Sequence, residues 1–200
     1  MSEATDPQAT GLRARKKART RQLIQDHGLR LFLEQGYEAT TVQQIIDAAD
    51  VSESTFFRYF PAKADVVLLD DFDPIAVRSF LAQPPELSPI QALRASFRAT
   101  FAAMADEGAA AMRERIQLVV TVPELRAAML DQLSSAMGLL AQAVAARTGR
   151  TADDLAVRTL TGAVVGVAVA VEFVLLDDPT ADLATLLDEA MGQLEAGLQL

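Results

Sequence analysis

A chain of 200 residues suffices for one large domain, or a small one fused to a larger one, without metal or disulfide support; with no cysteine it excludes disulfides, thiolate zinc sites and cysteine nucleophiles. A single histidine, His27, thins the enzyme options further, so catalysis would have to rest on carboxylate, Ser, Lys or Tyr chemistry. The net charge of −9 hides its distribution: residues 1–65 hold nine Lys or Arg against nine Asp or Glu, and residues 66–200 hold nine against eighteen.

The first eleven residues, MSEATDPQATG, are polar and lack a signal peptide's apolar core, so 1–11 is expected to be a disordered leader and the protein cytoplasmic. Arg13, Arg15, Lys16, Lys17, Arg19 and Arg21 then form a basic arm. Apolar residues recur at helical spacing almost everywhere after it and nowhere alternate as in strands, which predicts an all-α fold of about nine helices. Leu23, Ile24, Leu31 and Phe32 stripe the first helix, on which His27 is a partly buried packing residue. Gly36 followed by Tyr37 reads as a left-handed C-cap.

Thr41-Val42-Gln43-Gln44 fits a capping box that starts a second helix at Val42, with Val42, Ile45, Ile46 and Ala49 facing inward and an end near Asp50. After the turn Asp50-Val51-Ser52, Ser52 is placed to cap a third helix running to about Phe60. Two short helices joined by a tight turn are the helix-turn-helix arrangement, which also occurs in helical proteins that do not bind DNA. Pro61 closes the third helix and opens a fourth, expected to run from Ala62 through VVLLDDF and to carry the domain boundary, with a helix-turn-helix domain at 12–66 and a larger domain at 67–200.

Wound at 3.6 residues per turn, the third helix brings Phe56 and Phe60 to one side, one turn apart, with Phe57 next to them around the helix. Phe56 and Phe60 therefore read as a buried ridge with Phe57 on its flank. Ser54, Arg58 and Thr55 fall on the opposite side and face outward, with Tyr59 at the margin. A small, polar, cationic face suits a major groove, where Arg bonds guanine and Ser or Thr bonds base edges or phosphate. Lys63, read as lying in the first turn of a helix, opposes the macrodipole there, and a bound phosphate would remove the conflict. The alternative for each feature is bland: a solvated lysine, a soluble N-terminus. Their conjunction within sixty residues favours DNA.

Pro84-Pro85, Pro89, Gly108, Pro123, Gly149 and Pro179 divide the remainder into helices of roughly 15 to 27 residues, suited to a bundle. Residues 160–176 are apolar nearly all round, interrupted by Glu172 and short of the roughly 20 residues that span a bilayer, so they read as a buried helix with no membrane partner. Gly162 and Gly166 permit close approach of another helix, within the chain or from a second copy. The final helix, 182–198, carries Leu183, Leu186, Leu187, Ala190, Leu194 and Leu198 as a matching stripe.

GYEATTVQQIIDAADVSESTFFRYFPAKADVV resembles the signature G-(Y/F)-x-x-T-(T/S)-(V/I)-x-x-I-A-x-x-A-G-V-S-x-x-T-(L/F)-Y-x-(Y/H)-F-x-x-K-x-x-L of the TetR family of bacterial transcriptional regulators, with the dense match covering residues 23–69. The resemblance implies that Thr41, Gln43, Gln44, Ser52, Ser54, Thr55, Arg58, Tyr59 and Lys63 contact DNA. Three positions depart from it: Asp50 stands where glycine makes the turn, Phe57 replaces a tyrosine whose hydroxyl often meets phosphate, and Ile46 replaces alanine. TFFRYF with RERIQLVVTVPELRAAMLDQL and DDLAVRTLTGAVVGV is similar to an actinobacterial branch that includes the mycofactocin regulator, where acyl-CoA-type effectors are implied.

The resemblance also implies a small-molecule effector held by the middle helices and a homodimer formed through the last two, here 151–176 and 182–198. Phe97, Phe101, Met104, Met112, Met129 and Met137 fall on those middle helices, where unbranched Met adapts to ligand shape or simply fills core. Arg113, Arg115 and Glu172 are the charges placed to border a pocket, and Glu172 inside an apolar helix needs a partner, for which an arginine is favoured. The resulting expectation is a repressor that binds a palindromic operator as a homodimer and is released by a mostly apolar effector, with no catalytic residue, metal or cofactor. A hydrolase in the larger domain lacks a Gly-rich phosphate loop and a G-x-S-x-G elbow. A module that meets protein through the same helices is the remaining rival.

Overall fold

The computed structural model describes residues 7–69, 72–104, 106–178 and 180–198. These residues are all-helical, with ten helices: α1 (Pro7–Gln35), α2 (Val42–Ala48), α3 (Glu53–Tyr59), α4 (Asp65–Leu68), α5 (Phe72–Leu81), α6 (Pro89–Ala102), α7 (Asp106–Thr121), α8 (Pro123–Thr148), α9 (Leu155–Asp177) and α10 (Leu183–Glu195). Contacts divide the chain into two compact units, 1–69 and 70–200.

In the first unit, α1 begins at Pro7, so residues 7–11 are helical and not the disordered leader expected there; residues 1–6 lie outside the described residues. Proline at the first position and the Ala- and Arg-rich run after it favour that extension. The apolar stripe of α1 also turns slightly from the expected one. Ile24, Leu29 and Phe32 are buried, whereas Leu23 is exposed, and a buried Gln25 takes its place beside Ile24. Gly36 ends the helix at φ 91°, and Tyr37 folds back against Phe32 with ring centroids 5.0 Å apart.

The fourth helix is where expectation and structure part most. Only Asp65–Leu68 is helical, and Leu69 leaves the helix at φ −86° and ψ 113°, so no continuous helix runs from Ala62 through Phe72. This break splits one expected helix in two. Its cause is tertiary: the buried Gln25 donates its amide to the carbonyls of Val66, at 3.2 Å, and of Leu69. Those bonds satisfy the last carbonyls of α4 in place of a further helical turn. Gly28 supports the same contact, since a Cβ there would lie 2.6 Å from Val66 Cγ1.

In the second unit, Phe80, Leu93, Val144, Val157, Val164, Leu187 and Met191 form the centre of one core that draws on α5, α6, α8, α9 and α10. Local chemistry sets the ends: Ser88 and Gln91 make a capping box for α6, Pro123 opens α8, Gly149 closes it at φ 66°, and Asp182 accepts from Thr185 N to start α10. α10 stops at Glu195, short of the expected Leu198, because Gly197 turns left-handed and Leu198 N bonds back to Gln193 O. Across α6 and α10, the Arg94 guanidinium pairs Asp188 at 2.9 Å and Glu195 at 3.0 Å, and Arg98 also binds Asp188. These arginines hold the Asp188 carboxyl well below the usual carboxylate range.

α9, at 23 residues, is longer than the apolar run expected there and long and apolar enough to cross a membrane by length and composition. It is not the buried helix expected, since only a minority of it is buried within the chain. Gly162 is half-buried, with Met137 Cε of α8 3.6 Å from the position of a Cβ, so the intrachain crossing is one of the two contacts expected of it. Gly166 is exposed and meets nothing within 4 Å. The uncovered side of α9 carries Leu155, Phe173, Val174 and Leu176 as well.

Candidate nucleic-acid interface

α2 and α3 are too short to persist alone, and their caps and buried faces hold them. Thr41 Oγ1 accepts from Gln44 N at 3.2 Å while Gln44 Oε1 accepts from Thr41 N at 2.8 Å, which is the expected capping box. Asp50 takes the left-handed conformation at φ 49°, and the bonds Asp50 N to Asp47 O and Val51 N to Ile46 O close α2 as a glycine would. Ser52 then caps α3 by accepting from Thr55 N at 3.2 Å.

Phe56 and Phe60 are fully buried with ring centroids 6.0 Å apart. Each contributes roughly 1.5–3 kcal/mol by burial, enough to pin a two-turn helix. From the basic arm, Arg21 lies over the Phe60 ring, 5.9 Å from its centroid, while Arg15, Lys16, Lys17 and Arg19 are exposed; the Arg13 side chain lies outside the described residues.

The exposed face of α3 is rotated from the expected one, away from Thr55 and towards Phe57. Glu53, Ser54, Phe57 and Arg58 are exposed, whereas Thr55 and Tyr59 are half-buried. Phe57 is 44% exposed and stands edge-on to Phe56 at 5.3 Å, so it belongs to the outward face and not to the anchor's flank. Helical spacing gives the order of side chains around the helix but not the direction from which the core approaches. The Ser52 hydroxyl bonds those of Thr55, at 2.8 Å, and Ser54, at 3.1 Å, and the Arg58 guanidinium lies over the Tyr59 ring at 5.2 Å.

On α2, Gln43 is exposed and donates to Asp47 Oδ1 at 2.7 Å; Gln44 Oε1 also accepts from Gln35 Nε2 at 3.2 Å and is thereby tied to the cap. Lys63 precedes α4 and does not lie in a helical first turn, which removes the macrodipole argument for a phosphate there. Its ammonium donates to the carbonyls of Tyr37 at 2.9 Å and Thr40 at 3.2 Å, 4.0 Å from the Tyr37 ring centroid. Lys63 therefore staples the turn after α3 to the turn before α2. Gln25, Gly28 and this staple were missed by sequence reasoning, because each acts through a partner distant in the chain.

The residues expected to face an effector are dispersed over α6, α7, α8 and α9. Phe97 and Phe101 pack half-buried on the central core; Met104 lies against Gly108 and Met137 against Gly162. Met112, Arg115 and Glu172 are half-buried, with Arg115 Nε and Glu172 Oε2 shielded from solvent on the adjoining helices α7 and α9. A small cavity of about 50 Å³ between those helices is lined by Arg113, Ile116, Gln117, Val120, Leu175 and Leu176; of the residues expected to border a pocket, Arg113 alone is among them. Among the described residues no group of His, Asp and Glu could hold a metal ion.

Comparison with known proteins gives independent findings. Residues 21–69 match the model of bacterial regulatory proteins of the tetR family, and residues 87–199 match that of the MftR C-terminal domain. The HTH-type transcriptional regulator TcmR of Streptomyces glaucescens is 37% identical over 76% of this chain and 71% of its own. A protein of Mycobacterium tuberculosis, named for transcriptional regulation of mycofactocin biosynthesis, is 29% identical over 92% of this chain and 93% of its own. Among solved structures, the repressor FadR of Thermus thermophilus in complex with lauroyl-CoA is similar over 90% of this chain and 95% of that one, with TM-score 0.54 and 25% identity.

Proposed function

The chain belongs to the TetR family of bacterial transcriptional regulators, and on that premise we propose that it is a repressor that binds a palindromic operator as a homodimer and releases it on meeting a small, mostly apolar effector. The family is one of regulators and not enzymes, with a DNA-binding helix-turn-helix and a ligand-binding domain. The observation that carries the finer reading is the exposed face of α3, with Ser54 and Arg58 held outward by the fully buried Phe56 and Phe60. Arg58, Ser54, Thr55 and Gln43 are the side chains for base edges, and Ser52, Thr41 and Tyr59 suit phosphate. Gln44 acts through the cap. A lysine ammonium has three donors; with two on carbonyls, the third of Lys63 suits a backbone phosphate. A DNA partner implies a cytoplasmic protein.

The homodimer is supported by the uncovered apolar side of α9, and the effector class by the match to the MftR C-terminal domain and the likeness to the lauroyl-CoA-bound FadR. Drug-sized ligands occupy sites of roughly 300–1,000 Å³. A groove of about 750 Å³ along α6, α9 and α10 already has that size, whereas an effector placed in the 50 Å³ cavity would have to part α7 from α9, the helices that carry Arg115 and Glu172.

Selection from a random-sequence DNA pool with the full chain at physiological salt tests the proposal. The expected duplex is a palindrome whose half-sites are about 34–36 Å apart or slightly more. Arg58→Ala should weaken its binding at least tenfold, and dodecanoyl-CoA should weaken it 5- to 150-fold, as a coupling of about 1–3 kcal/mol requires. Recovery of no palindrome favours the protein-binding module, and turnover of the acyl-CoA would revive the enzyme.

A further inference from the structure

Resting on the DNA-binding reading above, we infer that Phe57 is a sequence-reading residue that contacts the C5-methyl group of a thymine in each half-site. Three observations converge. Phe57 is the only apolar side chain among the exposed residues of α3, three positions from Ser54 and adjacent to Arg58, so it shares their outward face. It is 44% exposed although it is a large aromatic. Its ring is held in place, edge-on to Phe56 at 5.3 Å and 87°, and Phe56 is itself locked in the core against Phe60.

A phenyl ring offers no hydrogen-bonding group, so it gains nothing from a phosphate oxygen or from the amino and carbonyl edges of bases. In the major groove the apolar feature that distinguishes one base pair from another is the thymine methyl. A fixed ring flanked by a hydroxyl and a guanidinium can cover that methyl while Ser54 and Arg58 bond neighbouring polar edges. Rigidity matters, because a ring already oriented by its neighbour loses little rotamer freedom on binding.

The test uses the full chain and the duplex recovered from a random-sequence DNA pool. Each thymine is replaced in turn, symmetrically in both half-sites, by deoxyuridine, which removes the methyl and leaves every hydrogen-bonding group in place. Burying one methyl-sized group gives about fourfold in affinity per half-site, hence about fifteenfold for the pair. One thymine position should show this loss with the wild-type chain. With Phe57→Ala, which binds more weakly overall, the same duplex should bind equally well with thymine or uracil at that position. Phe57→Leu, a second variant with an apolar side chain, should retain part of the discrimination, and an unchanged tyrosine fluorescence melt confirms that both variants fold. A recovered duplex indifferent to every thymine methyl overturns this inference alone, as does Phe57→Ala retaining the full discrimination. A pool that yields no recurring duplex overturns the DNA-binding reading and this inference with it.

Discussion

Replacing Gly28 by alanine should destabilise the first unit, against the usual gain from such a change inside a helix. Helix propensity alone favours alanine by about 1 kcal/mol. The added methyl would lie 2.6 Å from Val66 Cγ1, with two Ile45 carbons at 3.7 Å. Val66 is stiff at χ1 and, like Ile45, fully buried, so the clash cannot be relieved by swinging a side chain into solvent. Overpacking of this kind costs about 1–3 kcal/mol, which leaves a net loss of up to about 2 kcal/mol and lowers the melting temperature by up to ~16 °C for a unit of this size. The assay is built into the sequence: the chain has two tyrosines and no tryptophan, and both Tyr37 and Tyr59 lie in the first unit, so tyrosine fluorescence follows that unit's unfolding. Val66→Ala should itself destabilise, but in the Gly28→Ala background it should cost at least about 1 kcal/mol less than alone. A Gly28→Ala chain more stable than wild type, or strict additivity of the pair, would show that α1 and α4 are not in the close contact described.

Replacing the exposed Arg15, Lys16, Lys17 and Arg19 with glutamine should flatten the dependence of log K on log salt by up to about 3.6 per protomer, at about 0.9 per phosphate contact; an unchanged slope shows that these cations touch no phosphate. The Asp188 carboxyl is depressed by Arg94 and Arg98, so its contribution to stability is full above the unfolded carboxylate value of about 3.9 and is lost as pH falls below it. Asp188→Asn should therefore unfold more easily at pH 7 and show a weaker acid dependence below pH 4, read by circular dichroism; an identical acid profile would exclude the pairing as a source of stability. Gly166→Arg should leave the helical signal intact while reducing the solution mass from twice 21.5 kDa to that of one chain, whereas Gly162→Ala, at an ordinary 3.6 Å contact, should remain dimeric. A dimeric Gly166→Arg chain would remove the uncovered side of α9 from the interface.

What could be read from the sequence was what depends on near neighbours. The caps at Thr41 and Ser52 and the left-handed turn at Gly36 each follow from residues within one turn, and the buried Phe56 and Phe60 follow from helical spacing. The break at Leu69 was invisible because VVLL continues the helical apolar pattern, and only Gln25, far earlier in the chain, supplies the alternative bonds. Lys63 looked like a helix-start cation for the same reason; its partners are carbonyls brought near by the fold. For the effector, periodicity identified half-buried Phe and Met side chains. It could not say whether space lies between them, since a filled core and a lined pocket share one pattern.

The sparse cover on α9 bears on how such a regulator responds to its own abundance. A subunit that hides this helix only by pairing makes its stability inseparable from protomer concentration. On the proposed reading of a homodimer on a palindrome, when subunits are scarce relative to the dimer dissociation constant, operator occupancy rises with the square of their number, since two are needed to fill two half-sites. Halving the expression of such a protein would then lower occupancy about fourfold, giving the promoter a threshold before any effector arrives.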